Sequence, residues 1–169
     1  DTGTDDAVAL MLAALHPEID LIGVTTVFGN APLYATTTNS LSVLELIGKG
    51  HIPVHAGFPR PLVRKTMPSE RFFKTDSVQD PHGTYLDIPR SASKPASERA
   101  VEYLIETHAQ AHDLKDLGGR KRAIDGIKPI LRSLRDPIVR DGYISAAARR
   151  IGVDENSIRE AMIQRGAET

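Results

Sequence analysis

The apolar positions near the start of the chain follow a helical period. Ala7, Leu10, Met11, Ala14 and Leu15 recur every three or four residues, which predicts a helix to about Leu15 with these side chains on one face. Thr4 is its expected cap, and His16-Pro17 ends it, because the residue before proline is pushed out of helical backbone. Asp20–Val27 reads DLIGVTTV, nearly continuous in apolar residues and rich in β-branching, as for a strand covered on both faces. After a turn at Phe28-Gly29-Asn30, Pro32 opens a second helix reaching about Ile47, with Leu41, Leu44 and Ile47 on its buried side. Gly48-Lys49-Gly50 stops that helix, and Ile52–Ala56 follows as a short strand. The order helix, strand, helix, strand, with connections too long for hairpins, predicts right-handed crossovers and a parallel sheet.

From Gly57 to Ala96 the pattern lapses into six prolines and scattered charges. A stretch of that length without a period predicts a binding loop or partial disorder. Helical spacing resumes over Ser97–Gln110, then over Arg120–Arg135, Ile138–Ile151 and Asp154–Arg165, separated by Asp136-Pro137 and Gly152-Val153-Asp154. The expected fold class is therefore α/β: a partial open parallel sheet over residues 1–107, followed by an all-helical tail over residues 113–169.

Charge supports that division. Residues 1–112 carry 13 Asp/Glu against 9 Lys/Arg, whereas residues 113–169 carry 9 against 12. All four Phe precede residue 74. At 169 residues with 40% hydrophobic positions, the chain has the composition of a globular protein. The absence of Cys excludes a disulfide scaffold, thiolate catalysis and Cys-ligated metal. No apolar run approaches the ~20 residues of a membrane span, and no basic stretch followed by an apolar one opens the chain, so a secreted precursor is not expected. A soluble, cytoplasmic protein is expected. The chain starts at Asp1 without an initiator Met, so it reads as cut from something longer, close to the end of a strand.

Candidate chemistry concentrates at that start. Asp1-Thr2-Gly3-Thr4-Asp5-Asp6 reads as a strand-to-helix turn with three carboxylates, two of them where a helix dipole favours negative charge. Converging carboxylates repel unless a cation neutralises them, and hard oxygen ligands suit Ca²⁺ or Mg²⁺. The competing reading makes Asp5 and Asp6 plain helix-cap residues. Asn30 follows the second expected strand, so a parallel sheet would bring it to the same edge, where its amide can serve a cation or a sugar hydroxyl; a plain turn residue is the alternative. Asn39, in mid-helix, reads first as a solvent-facing polar position and second as a substrate contact. His82, in the long loop near Asp80 and Asp87, could act as acid, ligand or stacking partner, against the commoner role of a surface histidine. His16, His51, His55, His108 and His112 lack metal-ligand spacing, and no Gly-rich phosphate loop or nucleophile elbow is present.

Asp1-Thr2-Gly3-Thr4-Asp5-Asp6-Ala7, Val27-Phe28-Gly29-Asn30, Thr38-Asn39 and Val54-His55-Ala56-Gly57-Phe58-Pro59-Arg60-Pro61-Leu62, taken in order, resemble the nucleoside hydrolase family, the inosine–uridine preferring N-ribohydrolases. The resemblance is strong over residues 1–64 and continues weakly to about Thr107. It implies a Ca²⁺-dependent hydrolase that splits a ribonucleoside into ribose and free base, a purine and pyrimidine salvage chemistry. By that resemblance Asp1 is a calcium ligand that also activates the attacking water, Asp6 the bidentate calcium ligand, Asp5 the carboxylate holding ribose hydroxyls, Asn30 the substrate-contacting Asn, and His82 a loop His near the base. The family pattern has Pro where Thr2 stands and Gly where Tyr85 stands; a shifted alignment would make Asp1 the motif's first Asp.

Past residue 112 the likeness changes. Residues from His112-Asp113-Leu114 through Arg165 resemble the helical tail of bacterial DNA primases, notably at Ile130–Pro137 and Arg140-Asp141-Gly142-Tyr143, without a primase's metal-binding carboxylates. A further alternative is a non-enzymatic helix-turn-helix-like module in residues 138–165 that binds nucleic acid or protein, marked by Ala148, Gly152, Val153 and Ile158 with Arg149, Arg150 and Arg159 nearby. A tail charge of only +3 makes nucleic acid the weaker partner. A truncated first strand leaves a bare sheet edge, which predicts either association, as in a homo-oligomer, or marginal stability. With part of the calcium shell and the leaving-group acid unmatched, the expected activity is weak or absent.

Overall fold

The computed structural model describes residues 1–29, 31–60 and 84–163. They form two units, Asp1–Ala100 and Val101–Thr169. The first unit holds helix α1 (Thr4–Leu15), strand β1 (Val24–Thr26), helix α2 (Leu33–Leu46) and strand β2 (Val54–Ala56). The second holds helices α3 (Ala100–Gln110, whose first residue closes the first unit), α4 (Leu117–Ser133), α5 (Pro137–Ile151) and α6 (Glu155–Ile163).

The two strands pair in parallel with Val24 opposite Val54, Thr25 opposite His55 and Thr26 opposite Ala56. An α/β fold with a partial parallel sheet followed by helices is thus what the chain forms. Leu41 and Leu44 of α2 and Ala14 of α1 bury against Ile52 and Val54, with Leu10, Leu21, Val24 and Ile47 at the margin. Three details differ from the sequence pattern. Gly3, not Thr4, caps α1: Thr4 is already helical, and the Asp6 carboxylate accepts from the Gly3 N–H at 3.1 Å. Leu15, the last residue of the helix, is exposed. The strand expected over Asp20–Val27 pairs only at Val24–Thr26 and is not covered on both faces. Ile22, Thr25 and Val27 stay open to solvent, while on β2 His55 is buried and its Nδ1–H donates to the Glu98 carbonyl at 3.0 Å.

The second unit is closed by its own caps. Asp116 accepts from the Gly119 N–H at 2.9 Å to start α4, and Asp136 from those of Ile138 and Val139 to start α5, with Pro137 in the first turn, where its missing N–H costs nothing. Gly152 ends α5 at φ 78°, a left-handed conformation that favours glycine. Ile127, Leu131, Leu134, Ile144, Ile151 and Ile158 are fully buried between the helices. Pro129 lies inside α4 on its exposed side. Arg150 of α5 forms a fork onto the Glu106 carboxylate of α3, one arm at 2.7 Å.

That fork gives the second unit an acid-sensitive bond. Its hydrogen bonds hold the Glu106 carboxyl below its ordinary value of 4.5, against the opposing effect of burial. A carboxyl depressed by folding contributes stability above its unfolded value, and the contribution is lost as pH falls through the folded value. Thermal unfolding followed by helical circular dichroism should therefore show an acid decline beginning near pH 4.5 that is shallower in Arg150→Met. Both side chains are partly exposed, so the difference is modest; superimposable profiles would exclude the fork as its source.

Candidate active site

The acidic turn is held in place from behind by α2. Thr2 is buried, and its hydroxyl lies 2.6 Å from the Ser40 hydroxyl. Ser40 donates its only O–H to the Thr36 carbonyl at 3.0 Å, so Thr2 is the donor in that pair. Asn39 then fixes the Thr2 backbone, its Nδ2 donating to the Thr2 carbonyl at 2.9 Å and to the Thr84 carbonyl at 3.4 Å, while its Oδ1 accepts from the Leu86 N–H at 3.2 Å. The solvent-facing position expected for Asn39 is corrected: it is only 3% exposed. Both of its amide hydrogens are engaged by backbone, so Asn39 positions the turn.

Further along the same helix, Thr36 donates to the Val27 carbonyl at 2.9 Å, and the Thr37 and Thr26 hydroxyls meet at 2.8 Å. The end of β1 and the acidic turn are therefore tied to one helix. Asp1 comes up against Gly29, just past β1. A Cβ on Gly29 would fall 2.0 Å from Asp1 Oδ2, so glycine is what leaves room for the carboxylate. Asp5 is exposed in the first turn of α1, and Asp6 is half-buried beside it. Asp1 and the Asp5–Asp6 pair thus belong to one turn, adjoining the carboxyl end of β1, the edge where open α/β sheets take ligands. Asn30 and His82 lie outside the described residues.

Among the described residues, no three His, Asp or Glu side chains form a group that could hold a metal ion. Asp6 has one oxygen occupied by Gly3, and a hard cation such as Ca²⁺ takes about 6–8 oxygens. Asp1 and Asp6 do not complete such a shell. The sequence reading missed Thr2, Thr36 and Ser40. For Thr36 and Ser40 a signal was available in the run Thr36-Thr37-Thr38-Asn39-Ser40-Leu41-Ser42, too polar for an inner helix unless its hydroxyls meet backbone.

In the second unit, α5, the Gly152 turn and α6 do form consecutively, with Ala148 and Ile158 buried. Arg150 pairs with Glu106, and Arg159 pairs with Asp141 at 3.3 Å and Glu155 at 3.1 Å. Two of the three arginines that would meet phosphate are thus engaged by carboxylates; Arg149 is exposed.

Comparisons with known proteins divide the chain in a similar way. A family model for inosine-uridine preferring nucleoside hydrolase matches residues 1–117, and one for the DnaB-helicase binding domain of primase matches residues 101–156. An uncharacterized protein of Schizosaccharomyces pombe is 39% identical over 107 residues, 63% of this chain and 33% of its own length. A pyrimidine-specific ribonucleoside hydrolase, RihB of Escherichia coli, is 38% identical over 107 residues, 63% of this chain and 32% of its own. The chain spans about a third of the length of these relatives. A plant nucleoside hydrolase superposes with TM-score 0.53 at 27% identity, covering 76% of this chain and 40% of that one. A purine-preferring ribonucleoside hydrolase from Gardnerella vaginalis, at 22% identity and TM-score 0.54 over 79% of this chain and 43% of its own, shares the fold.

The Asn39 amide is the part of this arrangement most open to test. Asn39→Ala leaves the buried Thr2 carbonyl and Leu86 N–H without their partner, so the first unit should lose about 2–4 kcal/mol in urea unfolding. Asn39→Asp, which keeps the shape and removes the donors, should lose nearly as much. A loss below about 0.5 kcal/mol in both would mean that water substitutes for the amide.

Proposed function

This chain belongs to the inosine-uridine preferring nucleoside hydrolase family, and from that membership we propose that its first unit is the ribose-holding part of an enzyme splitting ribonucleosides into ribose and free base. The observation that carries the reading is the Asn39 clamp on Thr2, which keeps Asp1, Asp5 and Asp6 on one turn beside the end of β1. Breaking the N-glycosidic bond leaves positive charge on the sugar, and fixed carboxylates stabilise that charge as it develops. Asp5, exposed at the head of α1, would accept hydrogen bonds from the ribose hydroxyls. Asp1 would take the proton from the attacking water, a role for a carboxylate within reach of it. Asn30 would contact the sugar through its amide, and His82 would assist near the base. No covalent intermediate is needed, in keeping with a chain that has no Cys.

Hydrolases of this family commonly bind a metal ion. Ca²⁺ is the ion we assign to Asp1 and Asp6, bound weakly because two carboxylates leave most of its shell to water. No helix among the described residues is long and apolar enough to cross a membrane, and nucleoside salvage in the cytoplasm is the setting proposed for this chemistry.

Calorimetry should find Ca²⁺ bound no tighter than about millimolar, and ribose release from inosine or uridine should stay near background. Rapid turnover abolished by Asp6→Ala would overturn the weak-catalyst reading while supporting the assignment of Asp6.

A second reading concerns residues 101–156 and rests on their match to the helicase-binding domain of primase. Docking of a DnaB-type helicase on the helical unit would be a protein–protein function independent of hydrolysis. Ile138, 84% exposed in the first turn of α5, is the apolar side chain best placed to be covered. Surface plasmon resonance with immobilised DnaB helicase should show binding of the full chain that Ile138→Asp weakens at least about fivefold, the scale of losing one buried apolar side chain. Binding to duplex DNA that exceeds it and falls steeply with salt would favour the nucleic-acid alternative instead.

A further inference from the structure

Helix α1 has a second apolar side that the first unit leaves bare. From Ala7 to Leu15 every residue is apolar, so the helix is hydrophobic all the way round. A helix of that kind belongs in an interior, covered on both sides. One side is covered here: Ala7 and Ala14 are buried, and Leu10 packs at the margin of the core. Val8, Leu12 and Leu15 share the other side, at the four- and three-residue spacing that stacks side chains along one face. They are 63%, 63% and 56% exposed.

The charges around this face select what can cover it. No Lys or Arg precedes Lys49, and Asp5, Asp6, Glu18 and Asp20 flank the two ends of the helix. A helix that lies on a membrane carries the opposite, lysine and arginine beside its apolar side. An acidic partner surface would be repelled as well. The face is instead complementary to itself. Turned about a two-fold axis beside Leu12, an antiparallel copy sets Val8 of one chain against Leu15 of the other and Leu12 against Leu12. Antiparallel order also keeps the Asp5–Asp6 pairs of the two copies about 20 Å apart, at a rise of about 1.5 Å per residue. Parallel order would set all four carboxylates side by side. With Ile19, 47% exposed just past the helix, the three side chains expose on the order of 400 Å² of apolar surface, the size of the largest patch on an ordinary monomer. Two such faces total about 800 Å² before any polar rim is counted, which suits a weak, reversible dimer rather than a permanent one.

We infer that the Val8, Leu12 and Leu15 face of α1 docks a second copy of this chain, giving a reversible two-fold dimer through antiparallel α1 helices. The dimer is independent of the hydrolase reading. Sedimentation velocity on the full chain, over about 2 to 200 µM, should show monomer giving way to dimer at about 10–100 µM, as suits an interface below standard size. Leu12→Glu should weaken dimerisation at least about tenfold, because one substitution acts twice across the axis. Leu12 is exposed in the single copy, so helical circular dichroism should be unchanged in that variant. The chain has no Cys of its own, so single introduced thiols report the orientation. A short bismaleimide should join Leu12→Cys copies into a covalent dimer and leave Thr4→Cys copies separate.

A chain that stays monomeric to the top of that concentration range would overturn the inference, as would a dimer that Leu12→Glu leaves intact. Cross-linking of Thr4→Cys as efficient as that of Leu12→Cys would overturn the antiparallel pairing. Co-sedimentation with neutral phosphatidylcholine vesicles in place of a dimer, lost in Leu12→Glu, would assign the face to lipid and overturn it too.

Discussion

The Asn39 amide joins two stretches of backbone, at Thr2 and at Thr84 and Leu86, from a helix whose other buried positions include Thr36, Thr37, Ser40 and Ser42. A helix of that composition has little to gain from apolar burial along its polar side. Its hydroxyls and amide instead satisfy backbone groups that water cannot reach: Thr36 serves Val27, Ser42 serves the Ser91 N–H at 2.9 Å, and Thr37 meets Thr26. An unmet buried polar group costs more than a formed hydrogen bond returns, so such a ladder specifies one register. The end of β1, the acidic turn and the segment after residue 84 depend on that register together. Leu41, Leu44 and Val54 supply the complementary apolar side of the same unit.

The elements of this fold were legible because their signals are local. Period, Pro and Gly placement and cap residues place α1, α2, α4, α5 and α6 to within a few residues, and the parallel pairing follows from connections too long for a hairpin. What the sequence could not show is which face of each element finds a partner. The run Ile22 to Val27 is apolar enough for a doubly covered strand, yet Ile22 and Val27 stay exposed, because coverage depends on elements far away in the chain. Asn39 was misread for the opposite reason: a polar residue in mid-helix is solvent-facing unless distant backbone presents the right acceptors. The carboxylate turn was readable as a turn, since three acids and a Gly fall within six residues. The residues that hold that turn were not, because Thr and Ser carry no functional signal by themselves.

Helix α3 shows how the two halves share material. The hydrolase model extends to residue 117 and the primase model begins at residue 101, so both claim nearly all of α3. In the structure that helix belongs to the second unit: Glu106 receives the fork from Arg150, and His108 packs against Gly126, where a Cβ would fall 2.4 Å from its Nδ1. The sequence resemblance placed the change of character after residue 107, whereas the side chains that face α4 and α5 already lie on α3. Sequence likeness follows ancestry, but packing follows contacts.

Positioning and ligand supply are separate demands on the first unit. The ladder on α2 fixes where the turn backbone stands, and the dipole of α1 favours the acidic residues in its first turn. Neither supplies the remaining oxygens that a hard cation needs. A turn with close carboxylates and an incomplete ligand set keeps its negative potential, and that potential attracts any cation or donor-rich ligand near it. A ligand rich in hydroxyl donors, such as a sugar, is of that kind. Recognition of such a ligand makes fewer demands than catalysis, because each hydroxyl contact acts alone, whereas a hydrolysis requires the water, the proton acceptor and the leaving group to be aligned at once.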